Sequence, residues 1–204
     1  MVNTTVRTYV AKKRLKSREM FVPLTHEPGM AQADFGEAQV KINGEIRKAH
    51  FLVMQLPFSD AVFTKAYPCE NTEAFVDGHQ SAFCFFGGVP KRILYDNTTI
   101  AVKKIVKDGR RQQTTGFIEL CSHFLFEEAV AAVGRGNEKG GVENLVGFVR
   151  RNFMVPLPNF ESFQALNEHL AACCKKRQLT VVRGHKETVG ERLTTESFFC
   201  RYQP

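Results

Sequence analysis

At 204 residues with 43% hydrophobic content, the chain is long enough to bury one sizeable core, and its length favours one main globular unit over two. Lys and Arg number 28 against 21 Asp and Glu, and the isoelectric point near 9.2 gives a surface that attracts polyanions, nucleic acid first among them. Cys69, Cys84, Cys121, Cys173, Cys174 and Cys200 show no C-x-x-C pairing and mostly have apolar sequence neighbours, which predicts reduced, buried thiols and excludes a zinc site and a disulfide framework.

Residues 1–27 read as a basic arm. Lys12, Lys13, Arg14, Lys16 and Arg18 are not followed by a long apolar run, so the expectation is a soluble intracellular protein without a signal pattern. The arm breaks at Pro28-Gly29, a turn signal. From Ala31 to Ile42 the pattern is that of a strand, and Asn43-Gly44 then predicts a tight hairpin to a second strand, because both turn positions need positive φ. His50 to Leu56 is apolar on both faces and fits a central strand; Ala61 to Tyr67 gives a third. Asn71-Thr72-Glu73 supplies a helix start, and Gly87-Gly88 stops that helix. Lys91 to Asn97 is a short strand expected to lie parallel to the first, since a helical crossover separates them, with Asp96 at its carboxyl end.

Ile100 to Arg111 carries Lys103, Lys104, Lys107, Arg110 and Arg111 and reads as a loop, solvated or facing DNA, with a turn at Asp108-Gly109. Thr114 or Thr115 caps a second helix bearing Phe117, Leu120, Cys121 and Phe124, and Leu125 to Val133 gives one more strand. At about 100° per residue, Val142, Val146, Val149 and Phe153 share one helical stripe, while Lys139, Glu143, Gly147 and Arg150 share the next. Glu143 at the margin of the apolar stripe suits a metal ligand facing a phosphodiester; an ordinary surface glutamate on a core helix fits the same pattern. A last helix spans Phe160 to Cys174 and ends in Lys175-Lys176-Arg177, cations where a helix C-terminus favours them.

The order strand, strand, strand, helix, strand, helix, strand, helix, with acids on the first strand, after the fourth and on a late helix, is that of a ribonuclease-H-like fold. The fold class expected is α/β: a mixed five-stranded sheet, three antiparallel strands then parallel ones, flanked by helices. Asp34, Asp96 and Glu143 would converge in an otherwise basic protein and hold Mg²⁺, a hard cation that takes carboxylate oxygens. Two such ions can clamp the attacking and leaving oxygens of an in-line phosphoryl displacement.

Gln32-Ala33-Asp34-Phe35-Gly36-Glu37, Ala74-Phe75-Val76-Asp77-Gly78-His79, Phe85-Phe86-Gly87-Gly88-Val89-Pro90, Tyr95-Asp96-Asn97 and Glu138-Lys139-Gly140-Gly141-Val142-Glu143-Asn144 together resemble the catalytic core of IstA-type insertion-sequence transposases, in the retroviral-integrase superfamily. Arg150-Arg151-Asn152-Phe153 and Phe160-Glu161-Ser162 extend the likeness, which covers about residues 20–180. The resemblance implies a DDE transposase that cleaves the element's DNA ends and transfers the freed 3′-hydroxyl to target DNA. Its catalytic and metal-binding triad would be Asp34, Asp96 and Glu143, with two Mg²⁺ ions for which Mn²⁺ substitutes. It also implies a homo-oligomer on transposon-end and target DNA, an ATPase helper protein, and a place in the bacterial cytosol beside the nucleoid. The division expected is a basic arm over 1–27, a catalytic core over 28–178, and over 179–204 an extension that starts a truncated C-terminal region.

Asn137 stands where the family commonly has an aromatic residue, and Ala131-Ala132-Val133 replaces a more polar, proline-containing approach to the helix. The family's N-terminal helix-turn-helix region and further C-terminal domain are not present in full, so the expectation is a fragment or a truncated reading frame. A non-catalytic DNA-binding remnant of a transposase and a plain nuclease of the same fold are the alternatives. Lys103, Lys104, Lys107, Arg110, Arg111, Lys139, Arg150 and Arg151 are the expected DNA-binding residues, and the basic sets at 12–18 and 175–177 would add phosphate contacts. The histidines lack metal-ligand spacing, no P-loop occurs, and Cys121 with His123, two apart on a helix, point away from each other.

Overall fold

The computed structural model describes residues 26–95, 102–105, 111–130 and 136–197, and the side chains of 26–95, 114–129 and 145–196 within them. Strands β1 (Met30–Ile42), β2 (Glu45–Leu56) and β3 (Ala61–Tyr67) form an antiparallel meander. Asn43 and Gly44 link the first two with φ of 49° and 84°, the positive pair that the Asn-Gly turn requires. Helix α1 (Thr72–Phe86) crosses over to β4 (Arg92–Tyr95), which lies parallel to β1. Asn71 caps α1 by accepting from the Ala74 N–H at 2.8 Å, and Gly87 ends it in the left-handed conformation. After α2 (Thr115–Phe124), β7 (Glu127–Val130) joins β4 in parallel, giving the order β3-β2-β1-β4-β7. This is the mixed α/β sheet expected from the sequence, and β2 is its doubly covered central strand.

The period of two along β1 divides the interior between the faces of the sheet. Ala31 and Ala33 join Met54, Leu56, Ile93 and Tyr95 in a core closed by α1, α2 and α5 (Val189–Ser197). Val40 and Ile42 join Ala49, Phe51 and Val53 in a second core, closed by α3 (Gly136–Phe153) and α4 (Phe163–Gln178).

Several local expectations need correction. The basic segment is no simple loop: β5 (Val102–Ile105) and β6 (Arg111–Gln113) pair as a separate antiparallel ribbon, in keeping with the β-branched Val102 and Ile105; the predicted turn at Asp108-Gly109 lies outside the described residues. Strand β7 begins at Glu127 because α2 runs to Phe124 and Leu125 takes a left-handed φ of 56°. A two-residue strand, β8 (Asn159–Phe160), adds to β1 in parallel. Helix α4 starts at Phe163 because Ser162 Oγ accepts from the Ala165 N–H, and it continues to Gln178, past Cys174.

The thiols are less buried than expected: Cys69 and Cys84 are exposed, Cys121 and Cys173 half-buried, and Cys174 alone among the described cysteines is buried. The C-terminal segment contains a helix not foreseen from the sequence, α5, and its Val189 and Leu193 belong to the first core. No helix among the described residues is long and apolar enough to cross a membrane.

Candidate active site

Asp34 lies on β1 on the face turned to the second core, because it shares the phase of Val40 and Ile42. It is half-buried, opposite Val53 of β2, and its Oδ1 accepts from the Phe35 N–H at 2.8 Å. On the other side of β1, Ala33 pairs with Tyr95, the last residue of β4. Asp34 therefore follows Ala33 where Asp96 follows Tyr95 in the chain, and Asp96 itself lies outside the described residues.

Gly36 carries the next step. A Cβ there would stand 2.5 Å from Phe51 Cζ and 2.6 Å from Val146 Cγ1, so the glycine lets α3 pack directly on β1 two residues beyond Asp34. Arg150 Nε donates to the Glu37 carbonyl at 2.7 Å, and beyond α3 the Lys41 N–H donates to the Pro158 carbonyl at 2.7 Å. These contacts show α3 running in the same direction as β1. Glu143 belongs to α3 one turn before Val146, and its side chain lies outside the described ones.

Of the expected DNA-binding residues, Arg150 and Arg151 are exposed at the end of α3. Lys103 and Lys104 lie on β5, Arg111 on β6 and Lys139 on α3, with side chains outside the described ones; Lys107 and Arg110 fall outside the described residues altogether. Beside Arg150, Glu37 pairs with Lys48 at 2.9 Å, and that hydrogen bond holds its carboxyl below the usual range.

The most enclosed polar group lies on the opposite face. His79 is wholly buried, with Nδ1 at 2.7 Å from the Phe75 carbonyl and Nε2 at 2.9 Å from the Tyr95 hydroxyl. A carbonyl only accepts, so Nδ1 carries the proton and Tyr95 donates to Nε2. Burial lowers the His79 pKa to about 4. The reading of the histidines as core or surface residues holds here, but the sequence offered no sign of this partner. A cleft of about 570 Å³ opens between α1 and α2, lined in part by Glu73, Asp77 and Glu119, on the face away from Asp34. Burial pushes the Cys121 thiol up to about 11, which argues against a Cys121 nucleophile. Among the described residues no three His, Cys, Asp or Glu side chains cluster as a metal site.

No protein-family profile matches the chain. A transposase of Aminobacter aminovorans is 38% identical over 160 residues, 78% of this chain and 32% of that protein. The transposase for insertion sequence element IS640 of Shigella sonnei is 33% identical over 201 residues, 96% of this chain and 62% of that protein. The transposase for insertion sequence element IS21 of Pseudomonas aeruginosa is 32% identical over 197 residues, 94% of this chain and 50% of that protein. The chain thus spans between a third and three-fifths of these curated relatives. Among solved structures, a simian T-cell lymphotropic virus intasome in complex with a PP2A regulatory subunit superposes with a TM-score of 0.60 at 16% identity, covering 80% of this chain and 53% of that one. The HTLV-2 integrase catalytic core in complex with magnesium gives 0.50 at 20% identity, over 83% of this chain and 99% of that one.

Proposed function

Since the chain is homologous over most of its length to insertion-sequence transposases of the IS21 and IS640 type and carries the ribonuclease-H-like fold of retroviral integrase catalytic cores, we propose that it is the catalytic core of a DDE transposase. Its reaction would be hydrolysis at the element's DNA ends followed by transfer of the freed 3′-hydroxyl to a target strand. The observation that carries this reading is the position of β1: Ala33 pairs with the residue before Asp96, and Gly36 touches α3 one turn beyond Glu143. Three carboxylates distant in sequence are thereby assigned to one neighbourhood, with Asp34, Asp96 and Glu143 as catalytic and metal-holding residues.

An all-carboxylate donor set fits Mg²⁺, and the one described member, Asp34, sits half-buried at a sheet face with its carboxylate tied to the backbone. When bound, two Mg²⁺ ions supply Lewis acidity to both the entering and the leaving oxygen. The protein's own contribution is to fix the carboxylates on a rigid strand and helix, so that the scissile phosphate meets a preset geometry. Arg150 and Arg151, with Lys139 and the β5–β6 cations, contact flanking phosphates and carry no sequence information. We further propose action as a homo-oligomer on transposon-end and target duplexes in the bacterial cytosol, with an ATPase helper.

The test is a strand-transfer assay with Mg²⁺ and Mn²⁺ on Asp34→Asn, Asp96→Asn and Glu143→Gln. Each variant should lose both cleavage and joining while keeping non-specific DNA affinity. Retained joining in any one of them removes that residue from the triad. Cleavage by the parent without joined products would make the protein a nuclease.

A further inference from the structure

Helices α3 and α4 pack as an antiparallel pair. The Phe160 ring, between them in sequence, lies 5.1 Å from His169 on α4, while the Arg177 guanidinium at the far end of α4 lies 5.2 Å over the Phe148 ring of α3. The C-terminal turn of α4 is therefore brought back beside the middle of α3, close in sequence to the turn that carries Glu143. Lys175 and Lys176 are exposed there, and Arg177 is half-buried, stacked on Phe148 with Nη1 donating to Thr180 Oγ1 at 3.3 Å. On the helical wheel Phe148 and Glu143 occupy opposite flanks of α3, with Gly147 and Arg151 on the outer face between them. Gly147 has no side chain of its own, and a Cβ there would meet the Arg151 guanidinium at 2.9 Å.

The charges of this cluster differ from the other described cations in having no counter-ion. Arg47 pairs with Glu45, Lys48 with Glu37, Lys65 with Asp77, Arg92 with Glu127 and Arg192 with Asp60. Among the described residues no carboxylate pairs with Lys175, Lys176 or Arg177, and the nearest acid earlier on α4 is Glu168, about two turns back. Three adjacent cations without counter-ions hold a concentrated positive potential, which is suited to a polyanion rather than to one carboxylate.

We propose that the C-terminal turn of α4 is a phosphate-binding surface for duplex DNA, with Arg177 as its fixed anchor and Lys175 and Lys176 as its exposed contacts. The DNA backbone lies across the outer face of α3 at Gly147, with the carboxylate neighbourhood on one flank and the α4 cations on the other. With its side chains α3 is about 10 Å across, a width that one DNA backbone can bridge. The proposal rests on the reading of the protein as acting on DNA, and it adds a binding surface on an element that carries none of the three carboxylates.

The experiment is fluorescence anisotropy of a labelled duplex of arbitrary sequence, titrated with the full chain in EDTA over a range of salt. Lys175→Ala/Lys176→Ala should weaken binding about tenfold or more and reduce the slope of log affinity against log salt by about 2, the number of phosphates released. Arg47→Ala/Lys48→Ala, with the same loss of net charge on the β1–β2 hairpin, should leave the slope unchanged. An unaltered slope in the α4 variant, or equal losses in both, overturns the proposal. Both pairs are exposed, so their melting temperatures should match the parent's and loss of fold would not mimic the result. Asp34→Asn separates the two readings: DNA bound through α4 by a protein that never joins strands would sink the transposase assignment and leave this surface standing.

Discussion

At the scale of single residues, Gly36 and His79 make demands on opposite faces of the same sheet. Gly36→Ala puts a methyl group within 2.6 Å of both Phe51 and Val146, and relief requires Phe51 to turn or α3 to lift from β1. Overpacking of this kind costs about 1–3 kcal/mol, read as a lower urea midpoint at unchanged slope. Val146→Ala in the same chain should restore part of the loss, since it removes one of the two clashing groups. His79 makes stability depend on pH. Its pKa is lowered from 6.5 to about 4 by burial, so the unfolded chain binds the proton more readily than the folded one. The contribution is fully present above 6.5 and is lost as pH falls through about 4, amounting to about 3 kcal/mol. Urea titrations of the parent and of His79→Leu at several pH values check this, and the variant should show a shallower decline between pH 6.5 and 4.

At the scale of elements, β3 is the sheet edge where α4 substitutes for a missing strand. Asn167 Oδ1 accepts from the Ala66 N–H at 2.7 Å and its Nδ2 donates to the Ala66 carbonyl at 2.9 Å, so one amide side chain satisfies both groups of a buried residue. Asn167→Ala should cost about 1–3 kcal/mol, and Asn167→Asp, which accepts but cannot donate, should still lose stability in the same denaturation assay. Elements whose signals are local were legible in the sequence: the Asn43-Gly44 hairpin, the Asn71 cap and the stop at Gly87 each depend on residues within one turn. Strand β8 was not, because two residues have no periodicity and pair only once α3 has delivered Pro158 to Lys41. Helix α5 did have a local mark that went unread. Thr188 and Glu191 form a reciprocal capping box, the Thr188 N–H donating to Glu191 Oε2 at 2.7 Å and the Glu191 N–H to Thr188 Oγ1 at 3.2 Å. For the site, the positions of Asp34 on β1 and of Glu143 on a helix were readable from period and order. The role of Gly36 as the point where α3 meets β1 was not, since it depends on a partner far along the chain.

At the scale of the whole molecule, α5 fastens the segment before β1 to the turn between β2 and β3. Glu196 is fully buried, with Oε1 accepting from the Gly29 N–H at 3.3 Å and Oε2 from the Ser59 N–H at 3.1 Å. One turn earlier, Arg192 pairs with Asp60 at 2.6 Å and donates to the Phe58 carbonyl. The Gly29 carbonyl in turn accepts from the Lys91 N–H at 2.8 Å, so Glu196 steadies the point from which β1 and β4 depart in register toward Asp34. Glu196→Ala should cost about 2 kcal/mol or more, because two buried N–H groups lose their acceptor. Glu196→Gln keeps one acceptor and should cost less, with a distinctive pH signature. Burial raises the Glu196 pKa against the opposing pull of Ser59, Gly29 and Arg192, so the folded state takes up the proton before the unfolded one. That contribution is fully present below the unfolded carboxylate value and is lost as pH rises through the raised one, opposite in sign to His79. The Gln variant lacks it, so its deficit against the parent should be largest in acid and narrow as pH rises. A deficit that widens with pH in paired urea titrations would mean that the two N–H donors and Arg192 outweigh burial, and that the fold holds Glu196 as a carboxylate.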